Sequence, residues 1–499
     1  MATQSTEEAY DELLSRIKKR ANIGHAQGVL GWDQQVMMPE GGAPARSKQI
    51  STLSSISHEI LTDERSGELL DQLDNADLNE EQRAIVREFR RQYDRAVSVP
   101  QELVEEISET SSDAQQIWQD AKQNDDFEHF APTLETLIEL HTERAEHIDS
   151  DRDPYVVMYE DGSPYLPLSR VETIFDELRE GLVPLIEEIK EDGDELASPF
   201  EDKSFDEDAQ MELAKDTLDY LGYDWDHGRL DTSPHPFTSG NQYDARVTTR
   251  FNEDEPLGSL MATIHEYGHA TYQLGLSKDD YATPLGQPRS SGVHESQSRF
   301  WENHIGRTKA FWETFLPTMK EHFPQMEGIT PQEVYEAANQ IYPNNKIRVE
   351  ADELTYHMHI ILRDEIEREF INGDLEVAEI PEAWNNKMEK YLGTRPETDS
   401  KGCLQDIHWT GGFGGFQGYT VGSVLAAQLH HAIQKDLDLE GMIQDGEFEP
   451  LREWMGERIH QHGQKYKTDE LIERATGEPL TATYFLDYAE DKFRDLYGI

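Results

Sequence analysis

Apolar side chains recur every three or four positions along 43–62, 79–97, 100–123, 127–149, 168–191, 346–373 and 481–497, a spacing that restricts most of the chain to packed helices. Ser, Asp and Pro punctuate the starts of these stretches, where side-chain oxygens satisfy free amides and proline suits a first turn. The segment 223–251 breaks the rhythm. Gly, Pro and Asp interrupt it, and the alternation Arg246-Val247-Thr248-Thr249-Arg250-Phe251 predicts a strand. No internal repeat or Pro/Ser linker divides the chain, and the acidic run 191–208 reads as a loop or boundary. The expectation is a mainly α fold, one large helical domain over 1–499, with a small β-sheet beside the helix that carries residues 265–269.

Within that frame, residues 265–269 read His-Glu-Tyr-Gly-His. Pro256 suits the first turn of a helix and Gly275 its stop, and Leu257, Leu260, Met261, Ile264 and Thr271 trace a buried stripe between them. On such a helix His265 and His269 stand one turn apart on one face, close enough to share a tetrahedral zinc. Glu266 then projects beside the metal, placed to take a proton from water whose pKa the metal lowers to about 7. The bland alternative is two helix histidines and a solvated glutamate.

A catalytic zinc keeps three protein ligands and an open position, so a third ligand must follow. A metzincin would place glycine at 272 and histidine at 275, whereas Tyr272 and Gly275 stand there, which excludes that class. Asp279 or Asp280 would serve in an aspartate variant. Glu295, in Gly292-Val-His-Glu-Ser-Gln-Ser-Arg299, is the better candidate if two antiparallel helices return it to the histidines; otherwise it is an exposed glutamate complementing a helix start. Zinc suits two His and one carboxylate, with cobalt or manganese as substitutes.

Charge narrows the partners. With 101 Asp+Glu against 45 Lys+Arg, the formal net charge of −56 repels nucleic acid and anionic membrane. The carboxylates are spread among the helix patterns rather than gathered in a tail, which suggests a salt-loving host whose ions screen the repulsion. The alternative is an acidic protein that binds cations or basic partners. One cysteine, Cys403, excludes an intrachain disulfide, the first twenty residues lack a signal-peptide pattern, and no apolar run reaches about 18 residues, so a cytoplasmic protein is expected.

Several separated motifs share one order: Trp32-Asp33-Gln34 with Met37-Met38-Pro39, His235-Pro236-Phe237, Asp244-Ala-Arg246-Val-Thr248, the zinc motif, His294-Glu295-Ser296, Ile347-Arg348-Val-Glu-Ala351-Asp352, and Gly402-Cys-Leu-Gln405-Asp406-Ile-His408-Trp409. In these the chain closely resembles the M32 family of metallocarboxypeptidases, the thermostable carboxypeptidase Taq type, over nearly its whole length. The resemblance implies release of single amino acids from peptide C-termini, a helical fold with a deep groove, a homodimer, and Glu295 as third ligand. The N-terminal helices, 1–150, would cover the groove, and 223–425 would carry the catalytic segments.

That activity calls for further groups. A planar guanidinium can hold a terminal carboxylate through two parallel hydrogen bonds, and Arg348 is the first candidate, although it could equally be a structural ion pair ahead of a helix at 349–362. Arg246 is a second candidate, or a strand arginine tied to its neighbours. His235 would contact peptide backbone, or merely shape a turn beside Pro236. His408 and Tyr419 bracket Thr410-Gly-Gly-Phe-Gly-Gly-Phe416 and could donate to a developing oxyanion, as a His and a Tyr do in the similar peptidyl-dipeptidases; either could instead be a packing residue. The glycine run has no phosphate-loop pattern and no nearby Lys. Trp32, Asp33, Met37 and Met38 are expected to pack the N-terminal helices. The rival readings are an oligoendopeptidase or dipeptidyl carboxypeptidase with the same metal site, and a non-catalytic metal-dependent peptide-binding protein, against which Glu266 counts.

Overall fold

A computed structural model describes residues 5–499. The chain opens with α1 (Thr6–Val36), α2 (Ala43–Thr62), α3 (Glu64–Leu73), α4 (Glu80–Ser98), α5 (Gln101–Asn124), α6 (Phe127–Ile148) and α7 (Pro154–Gly162). Reciprocal capping boxes, Ser5 with Glu8 and Asn79 with Gln82, satisfy the free amides where α1 and α4 begin. α1 to α4 close on an apolar core of their own, in which Leu13, Leu69, Leu70, Ile85 and Phe89 are buried together with Leu285 from the body of the molecule. Glu88 on α4 meets Arg289 of the body in a buried two-pronged pair at 2.9 and 3.1 Å. Removing one partner of such a pair costs about 3–5 kcal/mol because the other charge is left stranded.

The body continues through α8 (Leu168–Asp192) and α9 (Glu207–Leu221) to strands β1 (Gly228–Thr232), β2 (Thr238–Asn241) and β3 (Asp244–Thr249). Then come α10 (Pro256–Gly275), α11 (Ser291–Arg299), a π-helical turn Phe300–Gly306, α12 (Lys309–His322), α13 (Pro331–Ala338), α14 (Thr355–Ile371) and α15 (Ile380–Leu392). α16 (Gln417–Ile433), α17 (Leu439–Asp445), α18 (Glu449–Arg458), α19 (Thr468–Thr476) and α20 (Thr483–Tyr497) complete the chain. One continuous apolar core joins residues from α5 to α20, so the fold is mainly α in a single domain. No helix among the described residues is long and apolar enough to cross a membrane.

The sheet has the order β1-β3-β2, with β1 parallel and β2 antiparallel to β3. The central strand lies against α10: Val247, Thr248 and Thr249 are fully buried, and Thr249 Oγ1 donates to Ser259 O at 3.2 Å. The expected strand at 246–251 therefore starts two residues earlier and stops at Thr249, leaving Arg250 exposed.

Two further expectations need correction. The helix expected over 346–373 begins only at Thr355, because Asp352 accepts the amides of Leu354 and Thr355 at 3.0 and 2.9 Å while Ala351 is extended; Arg348 lies in a separate 3-10 turn. Of the two readings of the acidic run after α8, loop or boundary, the structure takes the loop, with Leu196 and Phe205 buried in the main core. Trp32 is buried as expected, but Met37 is 60% exposed.

Candidate active site

Proline at the first turn starts α10 at Pro256, and the helix is buried on nearly every side. Gly268, inside the His-Glu-Tyr-Gly-His run, is what lets α11 approach. A Cβ there would lie 2.5 Å from Ser298 Cα and 2.6 Å from Gln297 O, both backbone atoms that cannot swing aside. On the far side of α11, a Cβ on Gly422 of α16 would stand 2.3 Å from Glu295 Cγ. Two glycines thus press α11 between α10 and α16 and fix the position of Glu295.

The result is a cluster of His265, His269 and Glu295, whose ligand atoms all lie within 4.8 Å of one another. Glu295 Oε2 is 3.7 Å from His265 Nε2 and 3.5 Å from His269 Nε2. A tetrahedral zinc with bonds of about 2.0–2.1 Å would hold such atoms roughly 3.3–3.4 Å apart, so two imidazoles and one carboxylate fit a divalent metal with a small inward movement. Glu295 is buried, which overturns its reading as an exposed helix-start residue. Burial alone would raise its pKa, but His265 and Arg299 hold the carboxyl well below the usual range, so it stands ionised. Asp279 is exposed and Asp280 accepts from Ser277 Oγ at 2.7 Å; neither joins the cluster.

A layer of charges behind these three went unseen in the sequence. Glu302 Oε2 meets His265 Nδ1 at 2.9 Å, and Arg299 donates to Glu295 Oε1 at 2.8 Å and to Glu302 Oε2 at 3.2 Å. Arg307 closes the chain onto Glu302 Oε1 at 2.8 Å. Glu302 sits on the π-helical turn, and a charged residue within the wholly buried run Phe300–Gly306 was the signal available. Among the described residues His269 Nδ1 has no such carboxylate; its ring stacks on His294 at 4.3 Å.

Glu266 is buried, and its Oε2 accepts from Thr238 Oγ1 of β2 at 2.8 Å. β2 therefore fixes the carboxylate beside the cluster, another contact that helix periodicity could not reveal. A cavity of about 750 Å³ opens onto His269 and Glu295 and is lined by Tyr419, His294, Gln273, Arg91 and Arg289 among others.

His408 and Tyr419 come together: His408 Nε2 lies 3.4 Å from the Tyr419 hydroxyl. Burial lowers the His408 pKa to about 4, so the ring is neutral near pH 7, and burial raises Tyr419 to about 12, so its proton stays on. Arg348 is buried beside them, 5.5 Å from the Tyr419 ring. It also forms the ion pair foreseen as the alternative, with Nε and Nη2 donating to Asp406 at 3.0 and 2.8 Å, while Nη1 donates to the Tyr356 hydroxyl at 3.3 Å. Arg246 is turned onto its neighbour Asp244 at 2.7 Å and lies 4.4 Å from the Trp32 ring. His235 is exposed in the turn between β1 and β2, where its carbonyl accepts from Ser233. The structure thus brings His269, Glu295 and Tyr419 to one cavity, with His408 and Arg348 against Tyr419 and Glu266 held by Thr238, and leaves Arg246 on β3 and His235 in the turn between β1 and β2.

The carboxypeptidase Taq (M32) metallopeptidase family model matches residues 12–493. The chain is 39% identical to thermostable carboxypeptidase 1 of Pyrococcus furiosus, covering 97% of this chain and 98% of that one, and 37% identical to thermostable carboxypeptidase 1 of Thermus thermophilus over 99% of each. The crystal structure of the M32 carboxypeptidase from Deinococcus radiodurans superposes with a TM-score of 0.94 at 36% identity, over 98% of this chain and 100% of that one. Metallocarboxypeptidase 1 of Trypanosoma cruzi gives 0.95 at 35%, with the same coverage. With a metal-ligating cluster inside a matching fold, the chain belongs to the M32 carboxypeptidase family, peptide-bond hydrolases that depend on a divalent metal.

Proposed function

We propose that this chain is a zinc carboxypeptidase that removes single amino acids from peptide C-termini, with His265, His269 and Glu295 as ligands and Glu266 as base. The observation that carries this reading is the convergence of the three ligand atoms within 4.8 Å of one another, with His269 and Glu295 on the wall of a cavity that Tyr419 also lines. Once bound, the ion supplies Lewis acidity, polarising a carbonyl and lowering the pKa of water beside it toward 7. Glu266, steadied by Thr238, takes a proton from the attacking water and passes it to the leaving amine. The Tyr419 hydroxyl and neutral His408 donate hydrogen bonds to the oxygen on which charge develops. Arg348 has donor capacity left on Nη1 and Nη2 for a terminal carboxylate, while Asp406 keeps its fork in place. Arg246 and His235 contact the peptide farther out, and the N-terminal helices cover the groove.

The ion is zinc, with cobalt or manganese able to replace it, as tested by metal analysis of the purified protein. A cytoplasmic location is supported by the single buried cysteine, and a homodimer by the family resemblance; sedimentation would test the latter. Mass spectrometry of a digested peptide decides the mode of cleavage. Successive loss of single C-terminal residues supports it, whereas dipeptides or internal cuts indicate a dipeptidyl carboxypeptidase or oligoendopeptidase.

A further inference from the structure

Two acidic side chains on α14, Asp364 and Glu367, are 4% and 1% exposed and lie one turn apart on the same face. Neither forms an ion pair with Lys, Arg or His among the described residues. Their partners come from three other segments. Glu367 accepts the Trp409 indole N–H at 2.9 Å, the Gly414 amide at 2.9 Å and the Tyr155 hydroxyl at 3.3 Å. Asp364 accepts the Tyr155 hydroxyl at 2.9 Å and the Gln417 amide group. Trp409, Gly414 and Gln417 span the glycine-rich segment, with His408 just before it and Tyr419 just after.

Tyr155 has one proton to donate to two carboxylates, while its oxygen already receives Gln417 Nε2 at 2.6 Å. Two ionised carboxylates sharing one buried hydroxyl repel in low dielectric, so the stable arrangement carries one extra proton: Glu367 O–H to Tyr155, Tyr155 O–H to Asp364. The charges facing the pair do not remove this need. On α14 they are Glu365 and Arg368, and Glu365 is taken up by Arg179 and Lys387. From α6, α7 and the glycine segment, His141, Arg144, Asp161 and His408 line with Glu367 a cavity of about 400 Å³, through which a proton can exchange. Arg144 is committed to Asp161 at 2.9 Å. Burial pushes Glu367 up to about 8 and Asp364 to about 6, in the same direction.

We propose that Asp364 and Glu367 hold one proton between them across Tyr155 and act as positioning residues, fixing segment 409–417 so that His408 and Tyr419 face the metal cluster. Loss of that proton loosens the segment. The proposal rests on the functional reading above for the roles of His408 and Tyr419, but the state of the segment can be read without turnover.

The test is hydrogen exchange of the peptide covering 409–417, corrected for its intrinsic pH dependence, from pH 6.5 to 9.5. The wild type, Glu367→Gln and Asp364→Asn are compared, together with kcat/KM. In the wild type, protection and kcat/KM should fall together, approaching tenfold per pH unit above the ionisation, as one deprotonation requires. Glu367→Gln, which mimics the protonated acid, and Asp364→Asn, which leaves a single charge answered by Trp409 and Gly414, should both hold protection within about twofold across the range. A wild-type segment equally protected at pH 7 and 9.5, or variants that follow the wild-type profile, overturn the proposal. If Glu367→Gln does not fold, Asp364→Asn decides alone. Repeating the exchange in Glu266→Gln separates this result from the peptidase reading, since exchange there is independent of catalysis.

Discussion

Glu302 Oε2 lies 2.9 Å from Nδ1 of His265, so one ring nitrogen is committed to a carboxylate and the other is left free for a metal. Replacing Glu302 by Gln should weaken metal binding by about 10- to 100-fold, the usual cost of losing such a partner. Competition against a chelator measures it, and unchanged affinity would show that the pair merely packs. Melting in the metal-free state serves as the control, because Arg299 and Arg307 also lose a charged partner.

Substitution of Glu266 by Gln should leave metal content intact and reduce turnover by at least about 10²-fold, the scale of general acid–base assistance. The variant keeps an oxygen that can accept from Thr238, so loss of activity would report the missing base rather than a displaced side chain. Activity near the wild-type level sinks the mechanism.

Gly268→Ala should destabilise the protein and displace Glu295 together. The added methyl meets backbone atoms at 2.5 and 2.6 Å, and insertions into a close-packed contact cost typically 1–3 kcal/mol or more. Melting and metal titration of the same sample give the check: a stable variant with normal affinity would mean that α11 can back away without moving the ligand.

Stability should decline on acidification below about pH 6.5. Burial lowers His357 and His460 to about 3 and His141, His408 and His430 to about 4, so the folded chain refuses protons that the unfolded chain takes up near pH 6.5. The contribution of these rings is complete above pH 6.5 and is lost progressively as pH falls toward 4, on the order of 1–2 kcal/mol for each by pH 5. Asp364 and Glu367 act with the opposite sign, their folded pKa values being raised, and five rings outweigh two carboxyls. Melting temperatures at pH 5 and 7 in high salt, where surface repulsion is screened, provide the measurement; no drop at pH 5 contradicts the account.

Salt should matter as well. A net charge of −56 repels itself over the roughly 30 Å screening length of 10 mM salt and far less over about 3 Å at 1 M. The melting temperature should rise by several degrees between those conditions, and a flat response would remove the case for a saline host.

Periodicity located α2 to the residue, and Pro256 and Gly275 on either side of an apolar stripe located α10 equally well. It failed at 346–373, where the side chain of Asp352 competes with helix for backbone amides. The two histidines were legible through helical spacing. Glu295 was named as the third ligand through its motif and the family resemblance rather than through spacing, which does not encode the close approaches at Gly268 and Gly422 that bring it in. Glu302 and Thr238 were hidden for a related reason: each acts through a partner more than 25 positions away. Arg348 was named for its guanidinium, but its pairing with Asp406 across 58 positions belongs to the tertiary structure.

The π-helical turn Phe300–Gly306 has a consequence for how this chain can vary in length. Such a turn is an α-helix holding one residue more than its neighbours, and each helical residue advances the direction of the next by about 100°. Shortening this run by a single position would restore ordinary winding and rotate whatever follows it away from its present bearing. Arg307, which faces Glu302 from the end of the turn, would no longer point at it. Substitutions in this stretch can be absorbed one side chain at a time, but a one-residue deletion changes the aim of an entire helix edge, and the metal centre inherits the error.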